Sequence, residues 1–263
     1  MEKNTPRLWD KLWTDHGSLD EARAELAKEE RGVRWRRLER ALAAHFGRLA
    51  GLEIIEIGAG MGTCAALLAR RGARVTILDY SPVALRGAAA FYTREGLRAE
   101  FLERDALALP AALLGRFDVA MSFGLTEHFR GPARLAIHKA HLDLIRPGGL
   151  AIVSVPNALN PPYRLYKFLA ERTGKWAYGE EYPYTRLELA RLCRALGVEQ
   201  TRYLGDSLLA SFHFINPLRV SGKLRRLLRV RTPRREPFGW RVATPLDSWL
   251  APALVLVALK PPG

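Results

Sequence analysis

The chain has 263 residues, enough for one large α/β domain with appendages or for two small domains. Hydrophobic residues make up 48% and charged residues 26%, which excludes global disorder. The 41 Lys/Arg against 27 Asp/Glu leave a net charge of +14, a balance that suits an anionic partner.

That excess is concentrated late in the chain. From Arg219 to Arg241 nine Lys/Arg face one acid, Glu236, whereas the first fifty residues carry eleven bases and nine acids. The two cysteines, Cys64 and Cys193, are far apart and read as small buried hydrophobes, with neither disulfide nor metal spacing. The start, "MEKNTPRLWD", has no apolar signal core. No run reaches 18 apolar residues, and the most apolar stretch, Trp249 to Leu259, reads as a buried strand. A reducing cytoplasm is the expected compartment.

Taken in chain order, Leu26, Val33, Leu38, Leu42 and Phe46 recur at helical spacing, predicting one or two N-terminal helices broken near Gly32. Then a rhythm begins. "EIIEI" is a strand, Thr63 to Arg71 a helix and "RVTILD" a strand. "SPVALRGAAAFYTREG" is a helix with Ser81 as N-cap and Pro82 at its first turn. "RAEFLERD" and "FDVAMS" are strands flanking a short helix, "PAALLG". "GPARLAIHKAHLDLI" is a helix, "RPGG" a turn and "LAIVSV" a strand. Strands alternating with helices predict βαβ units and a parallel sheet covered on both faces. After Pro156 comes a long aromatic-rich stretch. A helix follows at "TRLELARLCRALG", with Thr185 and Glu188 as a capping box, and "VEQTRYLG" and "LVLVALK" supply two more strands.

Between the first strand and its helix stand three glycines, Gly58, Gly60 and Gly62, in "EIIEIGAGMG". Bare backbone there lets a ligand approach closely and aims a helix N-terminus at it. The spacing is not the dinucleotide G-x-G-x-x-G, because Thr63 takes its third position. Glu56 lies two residues before Gly58. Asp79 ends the second strand and Asp105 follows the third.

These features, in this order, resemble motif I and its successors in the class I S-adenosylmethionine (SAM)-dependent methyltransferases, closely over residues 50–157. The resemblance implies a Rossmann-like, seven-stranded, mostly parallel sheet with helices on both faces and the last strand antiparallel. It implies a helical lid at 1–48 and a SAM-dependent domain at 49–263. Within that domain lie an insertion at about 157–184 and a basic segment at about 219–241. SAM would contact the turn of Glu56, Gly58, Ala59, Gly60 and Gly62. Asp79 would take the ribose hydroxyls, beside Tyr80, and Asp105 with Ala106 would face the adenine. Ser122 on the fourth strand and Trp13 on a closing N-terminal helix would complete the contacts.

SAM brings an activated methyl on a sulfonium, so the protein must align the acceptor, exclude water and manage one proton. His128 in "GLTEHF", just past the fourth strand, is the candidate base, with Glu127 to orient it. The alternative is a structural loop pair. The loop also resembles ubiquinone-pathway O-methyltransferases, some of which bind a divalent metal through E-x-x-E-H. Here Gly124 replaces the first acid, so no metal is expected, and a quinone-type substrate is put in doubt. His138 and His141, three apart on the next helix, are expected at a surface or groove.

Seven aromatics between Asn160 and Tyr184 can wall an acceptor. Asn157, Tyr163, Tyr182, Tyr184 and His213 are the candidate acceptor contacts, with His128. The expected acceptor is a small molecule, methylated on oxygen or, second, on nitrogen. The basic segment fits a solvated surface, an anionic membrane or RNA phosphates. The rival readings are an RNA methyltransferase, a membrane-docked lipid or quinone methyltransferase, and a SAM-binding protein without turnover.

Overall fold

The computed structural model describes residues 4–214 and 239–261. The N-terminal helices are α1 (Pro6–His16), α2 (Leu19–Arg31) and α3 (Val33–Phe46). Gly32 separates α2 from α3 in an extended conformation. The alternating section runs β1 (Glu53–Ile57), α4 (Thr63–Ala69), β2 (Arg74–Asp79), α5 (Pro82–Arg94), β3 (Glu100–Glu103), β4 (Phe117–Phe123), α6 (Gly131–Leu144) and β5 (Ile145–Pro156). Then come α7 (Pro161–Arg172), α8 (Arg186–Ala195), β6 (Thr201–Gly205), a short helix α9 (Asp247–Leu250) and β7 (Ala253–Leu259).

The strand order is β3-β2-β1-β4-β5-β7-β6, with β7 antiparallel to both neighbours and the other pairings parallel. The expected seven-stranded sheet is therefore present. The order reverses between β1 and β4, and in such sheets the crevice at the strands' carboxyl ends takes the ligand. "RPGG" falls inside the first residues of β5, where the pairing with β4 shifts register and Gly148 takes φ +76°.

The core has two layers. On one face Leu26, Trp35, Leu38 and Leu42 of α2 and α3 pack with Leu67 of α4 and Phe91 of α5 against Ile54, Ile77 and Val119. On the other, Ile137 and Leu144 of α6 and Leu189 of α8 cover Ile55, Ile57, Phe117 and Val153. Thus α2 and α3 build the core, while α1 alone of the first three lies across the sheet's ligand edge, beside α5.

Capping holds where it was expected. Ser81 Oγ accepts from Ala84 N–H, and Thr185 Oγ1 accepts from Glu188 N–H. The Glu188 carboxylate, however, turns to Arg134 at 2.8 Å, so the return half of the capping box is replaced by an ion pair. His138 and His141 are buried, not at a surface or groove. His141 Nε2 meets Ser122 Oγ at 2.9 Å, and His138 Nε2 meets Tyr184 Oη at 3.1 Å. Both cysteines are buried and free.

Most of the basic segment falls at 219–238, outside the described residues. Among the described residues no helix is long and apolar enough to cross a membrane.

Candidate active site

Gly58, Gly60 and Gly62 all take positive φ, at 58°, 53° and 63°. This left-handed conformation is one that side chains resist. Space forbids side chains as well. A Cβ on Gly58 would lie 2.6 Å from Leu125, and one on Gly60 would lie 2.1 Å from the ring of Trp13. The turn is fixed from both sides. Glu56 Oε2 accepts Ala65 N–H at 2.7 Å, anchoring the start of α4. Asp79 accepts Gly60 N–H on one oxygen and Ser81 N–H on the other, both at 2.9 Å. Each carboxylate oxygen keeps a further lone pair for a ligand. Burial raises Asp79 above the usual carboxylate range and pushes Glu56 up to about 8.

A cavity of about 810 Å³ opens from this turn. Gly58, Ala59, Asp79, Tyr80, Asp105 and Ala106 line one end. Glu127, His128, Tyr163, Trp176, Tyr178, Glu181 and Phe214 line the other, and Trp9 and Trp13 of α1 roof it. α1 is clasped to the rest at both ends. Ser81 Oγ donates to Asp10 at 2.5 Å. Asn4 Nδ2 donates to the carbonyls of His128 and Glu180 at 3.1 and 2.9 Å. The edge of Trp9 meets the His128 ring at 4.8 Å.

At the far end, Glu127 is 2% exposed and its Oε2 has no hydrogen-bond partner. Burial, reinforced by Glu181, holds its pKa far above normal, and burial raises Glu181 to about 7. His128 is pushed down by burial, against the hydrogen bonds of the Glu180 and Gly124 carbonyls. Its Nδ1 lies 2.9 Å from the Glu180 carbonyl. A proton on Nδ1 satisfies that carbonyl and leaves the ring's lone pair on Nε2.

The comparisons with known proteins agree with this geometry. A family described as "Methyltransferase domain" matches residues 54–149. A ubiquinone biosynthesis O-methyltransferase of Aromatoleum aromaticum is 31% identical over 163 residues, covering 60% of this chain and 69% of that one. The chain belongs to the class I SAM-dependent methyltransferases. A second relative of the same name, from Azotobacter vinelandii, is 32% identical over 155 residues, covering 57% of this chain and 66% of that one. The chain thus spans about two thirds of these relatives' length. Magnesium protoporphyrin IX methyltransferase of Synechocystis, solved with bound SAH, shares the fold at 15% identity and TM-score 0.52, over 86% of this chain and 83% of that one.

In this methyltransferase the expected cofactor residues fall into two groups. Gly58, Ala59, Asp79, Tyr80, Asp105, Ala106 and Trp13 line the cavity. Glu56 and Gly62 stand behind it, and Gly60 lies under the Trp13 ring. Ser122 lines no part of it: its side chain is fully buried and committed to His141. Among the expected acceptor residues, His128 and Tyr163 line the cavity. Asn157 is buried, donating to the carbonyls of Trp249 and Ala251. Tyr184 binds Thr126 and His138, and Tyr182 turns outward to Glu180 and Arg130. His213 lies outside the lining, its ring beside Phe214, which is part of it. Asn157, Tyr182 and Tyr184 belong to the insertion and His213 to the separate stretch 211–217, and position in sequence does not tell which way a side chain faces.

Two residues went unnoticed in the sequence. Arg34, at the start of α3, reaches the cavity wall while paired to Glu29 at 2.7 Å. Glu181 stands beside Glu127 and His128, and the ligand atoms of the three lie within 4.8 Å of one another. The expectation of no metal counted carboxylates within the loop alone. The fold adds one from the insertion. A pair of adjacent acids, Glu180 and Glu181, among aromatics was the available signal.

Proposed function

We propose that this methyltransferase moves the SAM methyl to a hydroxyl oxygen of a small aromatic acceptor. The observation that carries the reading is the single continuous cavity. It joins the Gly58–Asp79 end to a second end walled by Trp9, Tyr163, Trp176, Tyr178 and Phe214, with His128 at that end. A volume of about 810 Å³ is of the size that holds a small ligand. Asp79 would take the ribose, Asp105 and Ala106 the adenine, and Arg34 the methionyl carboxylate, since only part of its donor fork is used by Glu29 and Ser154. Flat aromatic walls favour a ring-bearing acceptor over a chain. The names of the relatives, taken from ubiquinone biosynthesis, point the same way.

In the transfer, the acceptor oxygen attacks the methyl carbon as the carbon–sulfur bond breaks. The sulfonium becomes a neutral thioether. The hydroxyl proton passes to Nε2 of His128, whose depressed pKa keeps it neutral and able to accept. α1 excludes water from both reactants, and their alignment supplies much of the rate.

The test is transfer of labelled methyl from SAM to a panel of phenols and catechols, with aliphatic amines alongside. Label on a ring oxygen is expected, with His128→Asn slowing turnover by on the order of 10²-fold or more. Label on amines alone would remove the oxygen assignment.

A further inference from the structure

We propose that Glu127, His128 and Glu181 hold one divalent cation at the acceptor end of the cavity, Glu181 replacing the carboxylate that the loop lacks at Gly124. The proposal deepens the methyltransferase reading and rests on it.

The three side chains converge from two distant segments, with ligand atoms within 4.8 Å of one another. Ligands of one small divalent ion lie from about 3 Å (adjacent) to about 4.2 Å (opposite) apart, so the three side chains would draw inward around it. The loop shows why a second segment is needed. A Cβ on Gly124 would stand 3.6 Å from Glu127 Oε1, so a side chain there would begin beside Glu127. Gly124, however, takes φ +82°, where side chains are disfavoured.

Glu181 is fixed beside Glu127 and His128. Tyr182 N–H donates to the Glu127 carbonyl at 2.8 Å, and Asn4 ties Glu180 to His128 on the flanking side. Tyr163 Oη donates to Glu181 Oε2 at 3.1 Å, leaving Oε1 for a ligand. His128 is held by its other nitrogen, the outer-shell arrangement that orients ligating imidazoles.

Glu127 gives the independent sign. Its Oε2 is buried on the cavity wall with no partner, a state that costs free energy unless something binds there. Nearby cations are committed elsewhere. Lys167 is bonded to Glu171 and lies over the Trp176 ring, and Arg134 pairs with Glu188. Two carboxylates and one imidazole suit a cation of intermediate hardness, such as Mn²⁺ or Fe²⁺, with remaining positions for water or the acceptor. Such an ion would occupy the His128 Nε2 lone pair and would lower the pKa of a hydroxyl directed at it, so that in the cation-bound form the acceptor would lose its proton to water rather than to His128.

The experiment titrates the full chain with Mn²⁺ and follows free Mn²⁺ by electron paramagnetic resonance, without SAM. One Mn²⁺ per chain is expected, weakened at least about tenfold by Glu181→Gln and by Glu127→Gln. Spin-echo spectra of the wild type should show nitrogen coupling that His128→Asn removes, a readout that survives if a carboxylate variant folds poorly. SAM affinity is measured separately by calorimetry on the same preparation. A wild type that binds SAM but not Mn²⁺ overturns the cation site and leaves the methyltransferase reading standing. Mn²⁺ bound equally well by Glu181→Gln overturns it too.

Discussion

The two ends of the cavity are built on different principles. The cofactor end is local: Glu56 to Ser81 supplies the glycine turn, the carboxylate proposed for the ribose and the backbone N–H groups that hold both. The acceptor end is assembled from α1, the loop after β4 and the segment after β5, stitched by side chains across as many as 176 residues. Backbone bonds within two neighbouring βα units resist change, whereas an end made of distant side chains can be rebuilt piecemeal. The pair teaches that one cavity can join an end fixed by local backbone to an end held by side chains from distant segments.

The largest effect should come from putting a side chain where the cofactor end needs bare backbone. Gly60→Val meets both a left-handed φ of 53° and the Trp13 ring at 2.1 Å from its Cβ. SAM affinity should fall on the order of 10³-fold by calorimetry, from strain and lost close approach together. Adding Trp13→Ala relieves the clash and not the strain, so only part of the loss should return. A Gly60→Val protein binding SAM within threefold of wild type would separate the cofactor from this turn.

Asp79→Ala should cost somewhat less, about 100-fold in SAM affinity. It removes charge-assisted bonds to the ribose and orphans the N–H groups of Gly60 and Ser81. Asp79→Asn keeps one acceptor and should lie between the two. A loss in Asp79→Ala confined to the acceptor's KM would contradict the division into two ends.

This division also explains how far the sequence could be read. The glycines, Asp79 and Asp105 could be placed because the βα rhythm fixes where each strand ends, and ligands collect at those ends. The antiparallel last strand was implied by the family resemblance rather than by the rhythm, and β7 lies antiparallel beside β5. Past Pro156 the rhythm stops, and direction is no longer encoded locally. Tyr182 and Tyr184 are two residues apart, yet Tyr182 lies on the surface and Tyr184 inside, and neither lines the cavity. Glu181, just before them, does. His138 and His141 carried a surface pattern but serve as neutral hydrogen-bonding groups under the acceptor loop.

Those histidines give the acceptor end an acid-sensitive contribution of its own. His141 is fully buried and burial lowers it to about 4, from 6.5. The unfolded chain therefore binds its proton first as pH falls, so stability is intact above pH 6.5 and declines toward pH 4. At pH 5 this group alone should remove about 2 kcal/mol, read as the difference between wild type and His141→Asn in the urea-midpoint change from pH 7, since Glu56 and Glu181, raised to about 8 and 7, shift stability the other way. His141→Asn should flatten that decline while lowering stability at pH 7. If wild type and His141→Asn shifted in parallel between pH 7 and 5, the neutral buried histidine would not be the support proposed for this layer.

The smallest effect should fall on the roof. Trp9 contributes an edge contact to His128 at 4.8 Å and covers the acceptor end, whereas Trp13 covers the glycine turn. Trp9→Ala opens that end to water and removes one aromatic wall, but it leaves the clasp of Asp10 to Ser81 in place. The acceptor's KM should rise about tenfold, near 1.4 kcal/mol, the scale of one aromatic contact, while SAM affinity changes less than threefold. Trp13→Ala should show the opposite split, weakening SAM more than the acceptor. Because both residues sit on one helix of eleven residues, a general loosening of α1 would move both constants together in both variants. Opposite splits can arise only if a single helix serves two separately built ends.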